Sequence, residues 1–153
     1  MLIFLVTSLI FISIGCGIFY NSHRKDRLAR SKLEALFAFI PRFEKGEFDN
    51  AKSDFEKHYY IDASRELIDT LAESGVYLGN DFDWVGWIKD NPITENPEII
   101  KSASVEDIRQ ILTAMINQDR FIDGMLAEKF ESGMMENILQ RLEELDKNSQ
   151  IKF

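Results

Sequence analysis

The sequence predicts an all-α protein, in which one N-terminal transmembrane helix precedes a small domain of four to five helices. Two observations carry this prediction. Residues 1–21 of the 153 contain no charged side chain, and from Leu33 onward apolar residues recur at the three- and four-residue spacing of a buried helix face. No run of alternating apolar and polar residues is long enough to predict a strand. One domain is expected after the membrane helix at this length.

Residues 1–21 are long and apolar enough to cross a bilayer. Twenty helical residues rise about 30 Å, which matches the hydrocarbon core. A cleaved signal peptide is an alternative, but no basic residue precedes the apolar run. A lipoprotein signal is another, because Ile14-Gly15-Cys16 resembles the end of a lipobox. We expect an uncleaved anchor, in which the single Cys has no disulfide partner within the chain.

Residues 22–32 form a basic juxtamembrane collar. They contain five Lys or Arg against one Asp, whereas no Lys or Arg precedes the span. The positive-inside rule therefore places the N-terminus outside and the domain in the cytoplasm, with lipid headgroups as partners of the collar. From Leu33 the chain has 13 basic and 25 acidic residues, a net charge of −12. That charge disfavours nucleic acid as a partner, so we expect the bilayer and a protein partner or a second copy of the chain.

The helical domain is predicted to span residues 33–146. Its first apolar stripe runs from Leu33 to Phe43. Pro41 lies within this stripe and should kink or end the helix, because proline has no amide hydrogen to donate.

A second helix is expected to begin at Asp62 or Ser64, which are both good N-cap residues. Gly75 is placed to follow its C-terminus. Residues 79–97 contain several Asn-Asp and Asn-Pro turn signals, so this segment is predicted to be a loop. The aromatic side chains of this loop should pack against the core and hold the loop in place.

Three helices are predicted in the C-terminal half. Ser104 and Asp107 have the spacing of a capping box that begins the first of them. An apolar stripe over residues 121–130 predicts the second, and another over residues 134–145 predicts the third. Residues 147–153 are expected to form a frayed tail.

The sequence lacks the common signatures of cofactor and metal binding. It has no phosphate-binding loop, no dinucleotide-binding glycine pattern and no His-Glu-x-x-His motif. One Cys and two His cannot assemble a Cys/His zinc site. We therefore expect no cofactor and no metal, and no catalytic residue is assigned.

The densest polar cluster lies at the start of the stripe over residues 121–130. Arg120 and Asp123 are three residues apart, close enough to pair on a helix face, and Gly124 permits close backbone approach. Glu131 lies eight residues beyond Asp123 and returns to nearly the same face. Such a cluster either binds an acidic ligand, or uses its carboxylates as acid and base, or forms an ion-pair network between helices.

A second candidate surface is aromatic. Trp84 and Trp87, next to Asp83, either form a wall for a ligand or peptide or anchor the predicted loop. The expected contact surface is the groove between these tryptophans and the junction of Arg120 and Asp123.

The C-terminal half resembles a known family. It contains LTA at residues 112–114, DRFxDGxLA at 119–127, ExG at 131–133 and ILxRL at 138–142. Together with the Asp83-Trp84 element and the opening over residues 36–44, this pattern is similar to the bacterial and archaeal domain of unknown function 6508 family. The resemblance covers Leu33 to Leu145, although Asn117 stands where many members carry an arginine. Since the family has no established activity, the resemblance implies a domain boundary and leaves the function open.

These observations favour a membrane-anchored cytoplasmic helical domain that acts through protein interaction, with no catalysis of its own. The alternative is a small enzyme or ligand-binding domain with an Arg, Asp and Glu pocket around Arg120. A third possibility is an exported domain. The first two differ in whether a pocket lies beside Arg120.

Overall fold

The computed structural model describes residues 30–54, 59–79, 82–91, 98–122, 124–148 and 150–151. The predicted membrane span over residues 1–21 lies outside these residues, as does most of the collar. Among the helices that are described, none is both long and apolar enough to cross a membrane.

The described chain is helical apart from one short ribbon. A two-stranded antiparallel ribbon, β1 (Lys52–Asp54) and β2 (Tyr59–Tyr60), lies between the second and third helices. Helical residues 30–37 form α1, and the other helices follow in chain order: α2 (Ile40–Glu44), α3 (Asp62–Glu73), α4 (Trp84–Asp90), α5 (Glu98–Ser102), α6 (Val105–Asp119), α7 (Met125–Glu131) and α8 (Met134–Lys147).

The predicted all-α class is confirmed, but the predicted number of helices is wrong. Within the described ranges, seven helices lie from Ile40 onward, in addition to residues 30–37. Two of the additional helices, α4 and α5, have seven and five residues. Such short helices give too few periods for an apolar stripe to be recognised, and they depend on packing for their stability.

Pro41 interrupts the first apolar stripe as predicted. Helix α1 ends at residue 37, and α2 begins at Ile40 with Pro41 in its first turn. A proline is tolerated there because the first amide groups of a helix have no intrahelical acceptor. The break turns the chain, so that Phe39 and Phe43 both point into the core.

Helix α3 spans Asp62–Glu73 and ends as predicted, with Ser74 as its C-cap and Gly75 following at φ 79°. Its start differs in one detail. Ile61 occupies the N-cap position and Asp62 is the first helical residue, so neither predicted side chain caps the helix. The predicted capping box of Ser104 and Asp107 is present at the start of α6.

The predicted loop over residues 79–97 contains a helix. Asp83 caps α4, because its Oδ1 accepts a hydrogen bond of 3.0 Å from the Gly86 amide. Trp84, Trp87 and Ile88 have the spacing of one helix face, and all three pack half-buried against the core. Turn signals on both sides of this short apolar stripe led to the prediction of a loop.

The predicted helix over residues 121–130 begins later than expected. Helix α7 starts at Met125, because Gly124 adopts the left-handed conformation at φ 81° and separates it from α6. Phe121 and Ile122 therefore lie in the turn between the two helices and are exposed. The final helix α8 follows the prediction closely.

The core is built mainly by α6, α7 and α8, which pack against one another. Phe48, from the segment after α2, inserts between Phe43 and Phe130 with ring centroids 4.0 and 5.8 Å away. This aromatic cluster attaches the N-terminal part of the domain to α7. Burial of such rings is among the largest stabilising contributions in a small core.

Arg42 connects α2 to α3 at the surface. Its Nε donates to Glu47 Oε2 at 2.6 Å, and its Nη1 donates to Glu66 Oε2 at 2.9 Å. The guanidinium also lies 4.5 Å from the centre of the Phe39 ring. The hydrogen bonds from Arg42 hold the pKa of the Glu47 carboxyl below its usual range.

This lowered pKa predicts a dependence of stability on pH. A depressed carboxyl pKa contributes stability that is fully present above the ordinary value of 4.5 and is lost as the pH falls through the folded-state pKa. The free energy of unfolding of Glu47→Gln should therefore fall less on acidification than that of the wild type. Urea unfolding from neutral pH to below 4.5 measures this difference. Glu44→Gln, on the exposed end of α2, is the control, and its free energy of unfolding should fall with pH as that of the wild type does. If the free energy of unfolding of Glu47→Gln falls as steeply as that of the wild type, Glu47 does not cause the dependence on pH.

Candidate functional site

An exposed apolar surface lies where α4 meets the turn after α6. The rings of Trp84 and Phe121 stack with centroids 5.9 Å apart and planes inclined by 28°. Phe121 is 76% exposed, Ile122 55% and Val85 49%. We call Trp84, Val85, Phe121 and Ile122 the aromatic patch. Adjoining exposed apolar side chains of this size mark interaction surfaces more often than isolated ones do.

Asp83 and Trp87, two of the predicted site residues, hold in place the helix that carries part of this patch. The Asp83 carboxylate is engaged as the cap of α4, and a β-carbon at Gly86 would collide with it. Trp87 packs edge-on against Phe82, with ring centroids 5.9 Å apart, and is half-buried. Both side chains therefore fix the orientation of α4, which carries Trp84 and Val85.

Arg120 lines a cleft between α3 and the junction of α6 with α7. The cleft has a volume of about 400 Å³. Its polar lining comprises Arg65, Asp69, Tyr77, Asp119 and Arg120, and its apolar lining comprises Ile68, Ala72, Ile116 and Leu126. We call it the α3–α6 cleft. It lies beside Arg120, but Asp83 and Trp84, the other predicted site residues near this end of the domain, are not in its lining.

Two charged side chains of the cleft are free of partners within the described residues. Arg120 is exposed at the C-terminus of α6, and neither its guanidinium nor the Asp69 carboxylate forms a hydrogen bond or ion pair there. Arg65, in contrast, is paired with Asp62 on its own helix. Asp123 lies outside the described residues, so its pairing with Arg120 stays a prediction.

Asn117 binds Tyr77, which lines this cleft. It is 3% exposed, and its Oδ1 accepts a hydrogen bond of 3.0 Å from the Tyr77 hydroxyl. Next to it, Thr113 Oγ1 accepts from the Leu78 amide at 2.9 Å. These two bonds attach the segment after α3 to α6. The residue that departs from the motif of the resembled family thus serves here as a buried acceptor for Tyr77.

A family model for a family of unknown function, DUF6508, matches residues 28–148. The chain belongs to this family. The match includes every described helix and confirms the resemblance that the C-terminal motif indicated. Comparison with curated proteins and with solved structures produced no match.

In this DUF6508 domain, Glu131 binds the backbone of a distant segment. Its Oε1 accepts a hydrogen bond of 3.1 Å from the Ala51 amide, 80 residues earlier in the chain. Ala51 is fully buried, and its carbonyl accepts from the Ile61 amide at 3.1 Å and from Ser64 Oγ at 3.3 Å. Glu131 therefore joins the end of α7 to the start of the ribbon. It does not line the α3–α6 cleft.

Asp119 belongs to the DUF6508 motif but was not among the predicted site residues, and its contact is architectural. Its Oδ1 accepts a hydrogen bond of 2.9 Å from the Leu126 amide, in the first turn of α7. A carboxylate there satisfies a helix amide and favours the positive end of the helix dipole. The left-handed Gly124, also a predicted site residue, turns the chain so that this bond can form. An acidic residue shortly before a left-handed glycine was the available signal.

A second cleft, of about 550 Å³, lies between α5 and α8 of the DUF6508 domain. Its charged side chains neutralise one another. Lys101 pairs with Glu98 at 2.9 Å, and Arg141 pairs with Glu144 at 3.1 Å. Arg141 also donates to the Ala103 carbonyl at 3.0 Å. In the part of the chain that the structure describes, no three His, Cys, Asp or Glu side chains come together as metal ligands.

Proposed function

We propose that this chain is a membrane-anchored, cytoplasmic helical domain that binds a partner protein through the aromatic patch. One observation supports the contact surface above all others. Of the four exposed large apolar side chains in the described residues, three belong to the patch. The fourth, Ile99, lies apart from it on α5. Rigid aromatic side chains supply much of the binding energy in protein interfaces.

The anchor and its orientation are proposed from charge along the chain. Residues 1–21 are uncharged, and the five Lys or Arg of the collar follow them directly. The family match begins at residue 28, after the uncharged residues 1–21 and within the collar. Positive charges on one side of a span favour the cytoplasm for that side, so the domain is proposed to face inward with the collar at the lipid headgroups.

The charge of the domain favours a basic partner. The chain from Leu33 has a net charge of −12, although the exposed charged side chains nearest the patch are mixed, with Asp83 and Asp90 beside Lys89 and Arg120. Complementary charge speeds association and suppresses wrong partners, whereas two copies of an acidic domain repel each other. We therefore propose a partner that presents apolar side chains within a basic surface, rather than a second copy of this chain.

Replacing the exposed patch residues should abolish the complex without unfolding the domain. The full chain is extracted from membranes in detergent and cross-linked, and the mass of the cross-linked complex is measured. The wild type should give a heterologous complex that weakens as salt is raised, because screening reduces charge attraction. Phe121→Ser combined with Ile122→Ser should lower its yield at least about tenfold, since both side chains leave the interface.

Ile99→Ser is the matched control, because it removes an apolar side chain of similar exposure from α5. It should leave the complex intact. The proposal fails if the double variant retains the complex, if only homodimers form, or if the wild-type chain is not found in the membrane fraction. A circular dichroism melt that is unchanged in the double variant separates loss of contact from loss of folding.

The α3–α6 cleft supports a second candidate function, that of a ligand-binding domain. The observation that favours it is that Arg120 is exposed, has no partner among the described residues and lies beside a cleft of about 400 Å³. The two functions are compatible, because no residue of the aromatic patch lines the cleft.

A further inference from the structure

We propose that the α3–α6 cleft binds a small zwitterion with an apolar side chain, that is, a free aliphatic amino acid. This goes beyond the proposed interaction function and does not depend on it. The cleft combines three features that such a ligand needs: a cation and an anion that have no partner among the described residues, and an apolar floor.

The first feature is a pair of opposite charges that do not neutralise each other. Arg120 lies at the end of α6, and Asp69 lies on α3, so they belong to different walls of the cleft. Neither side chain forms an ion pair or hydrogen bond with any described residue. A guanidinium is suited to bind a carboxylate through two parallel N–H donors, and a carboxylate is suited to bind an ammonium group.

The other two charged side chains of the lining are already engaged. Arg65 pairs with Asp62, and Asp119 accepts a hydrogen bond from the Leu126 amide at 2.9 Å. Asp119 is thereby held by the backbone, whereas the Arg65 pair is exposed and weak, so Arg65 can supplement Arg120 as a cation. The lining as a whole carries two positive and two negative side chains. A ligand without net charge matches this balance, whereas a simple anion would also be repelled by a domain of net charge −12.

The floor of the cleft is aliphatic. Ile68 from α3, Ile116 from α6 and Leu126 from α7 line it together. Contact with these side chains favours a branched apolar group on the ligand. The volume of about 400 Å³ lies within the range for small-molecule pockets, so a free amino acid fits with room for water.

Tyr77 adds a further polar atom at the edge of the cleft. Its hydroxyl hydrogen is donated to Asn117 Oδ1 at 3.0 Å, so the oxygen keeps its lone pairs available. Within the cleft it therefore serves as an acceptor. The ammonium group of the ligand has three N–H donors. One of them can bind this oxygen while another binds Asp69.

The proposal is tested with the full chain in detergent micelles and three small probes. Isothermal titration measures the binding of free leucine, of isocaproate, which is leucine without the amine, and of isopentylamine, which is leucine without the carboxylate. Leucine should bind, and each fragment should bind at least about tenfold more weakly, because each lacks one charge-assisted contact. Equal affinity for isocaproate, or no binding of leucine, would overturn the proposal.

Two variants test which charged group of the ligand Arg120 and Asp69 each bind. Arg120→Gln should remove the preference for leucine over isopentylamine, and Asp69→Asn should remove the preference for leucine over isocaproate. Lys89→Gln and Asp90→Asn, which are exposed on α4 and away from the cleft lining, are matched controls and should bind leucine as the wild type does. Variants of Arg120 and Asp69 that retain full discrimination would refute the assignment. The double variant of the aromatic patch should bind leucine normally, so the failure of one proposal is distinguishable from the failure of the other.

Discussion

Phe48→Ala should lower the free energy of unfolding by about 3–5 kcal/mol, which is the usual range for removing a buried aromatic ring. Phe48 is 1% exposed. Its ring stacks on Phe43 at 4.0 Å and meets the edge of Phe130 at 5.8 Å. Truncation leaves a cavity that the surrounding helices cannot fill, because the three rings come from separate segments of the chain. A loss of this size is a large part of the stability of a typical small domain.

Phe121→Ala is the matched control for this prediction. It removes the same atoms from a ring that is 76% exposed and, among the described residues, stacks only on Trp84, so its effect should stay below about 1.5 kcal/mol. Urea unfolding of the full chain in detergent is followed by tryptophan fluorescence, since both tryptophans of the chain, Trp84 and Trp87, lie in α4. Equal destabilisation by the two variants would mean that the ring cluster does not hold the domain together.

Glu131→Ala should lower the free energy of unfolding by about 1–3 kcal/mol, the penalty for an unsatisfied buried polar group. The Glu131 carboxylate is the acceptor of the Ala51 amide at 3.1 Å, and Ala51 is fully buried. Removing the carboxylate leaves this amide without its acceptor and detaches the start of the ribbon from α7. Glu131→Gln retains an acceptor oxygen, so its effect should be smaller.

Glu73→Ala is the control, because Glu73 is likewise the last residue of its helix and is exposed. An acidic residue at a helix C-terminus is unfavourable with respect to the helix dipole, so Glu73→Ala should be neutral or slightly stabilising. Urea unfolding of the three variants under one set of conditions measures the comparison. If Glu131→Ala behaves like Glu73→Ala, the bond to Ala51 contributes nothing to stability.

The charged residues of the family motif divide by role. Glu131 and Asp119 each accept a hydrogen bond from a backbone amide, so these two side chains are explained by the architecture. Arg120 is different, because it is exposed and has no partner in the described residues. It adjoins both the aromatic patch and the α3–α6 cleft. Among the described residues of the predicted polar cluster, Arg120 is therefore the one whose role the architecture leaves unexplained.

Features governed by neighbours in the chain could be predicted from the sequence. The capping box of Ser104 and Asp107, the glycine after α3 and the span of α8 depend on hydrogen bonds and periodicity within a few residues. The short helix α4 escaped prediction because turn signals surround it. Phe121 and Ile122 were assigned to a buried stripe because periodicity alone does not reveal that Gly124 turns the chain.

The sequence by itself determined the helical class, the family and the order of charge along the chain, from the uncharged residues 1–21 through the basic collar to the acidic domain. These properties are set by composition and by short-range patterns. Only the tertiary structure decided which apolar rings are exposed, that Glu131 reaches Ala51 across 80 residues, and that Asp69 and Arg120 line one cleft. The physical reason is that such contacts join separate helices, and their geometry follows from how those helices pack rather than from their local sequence.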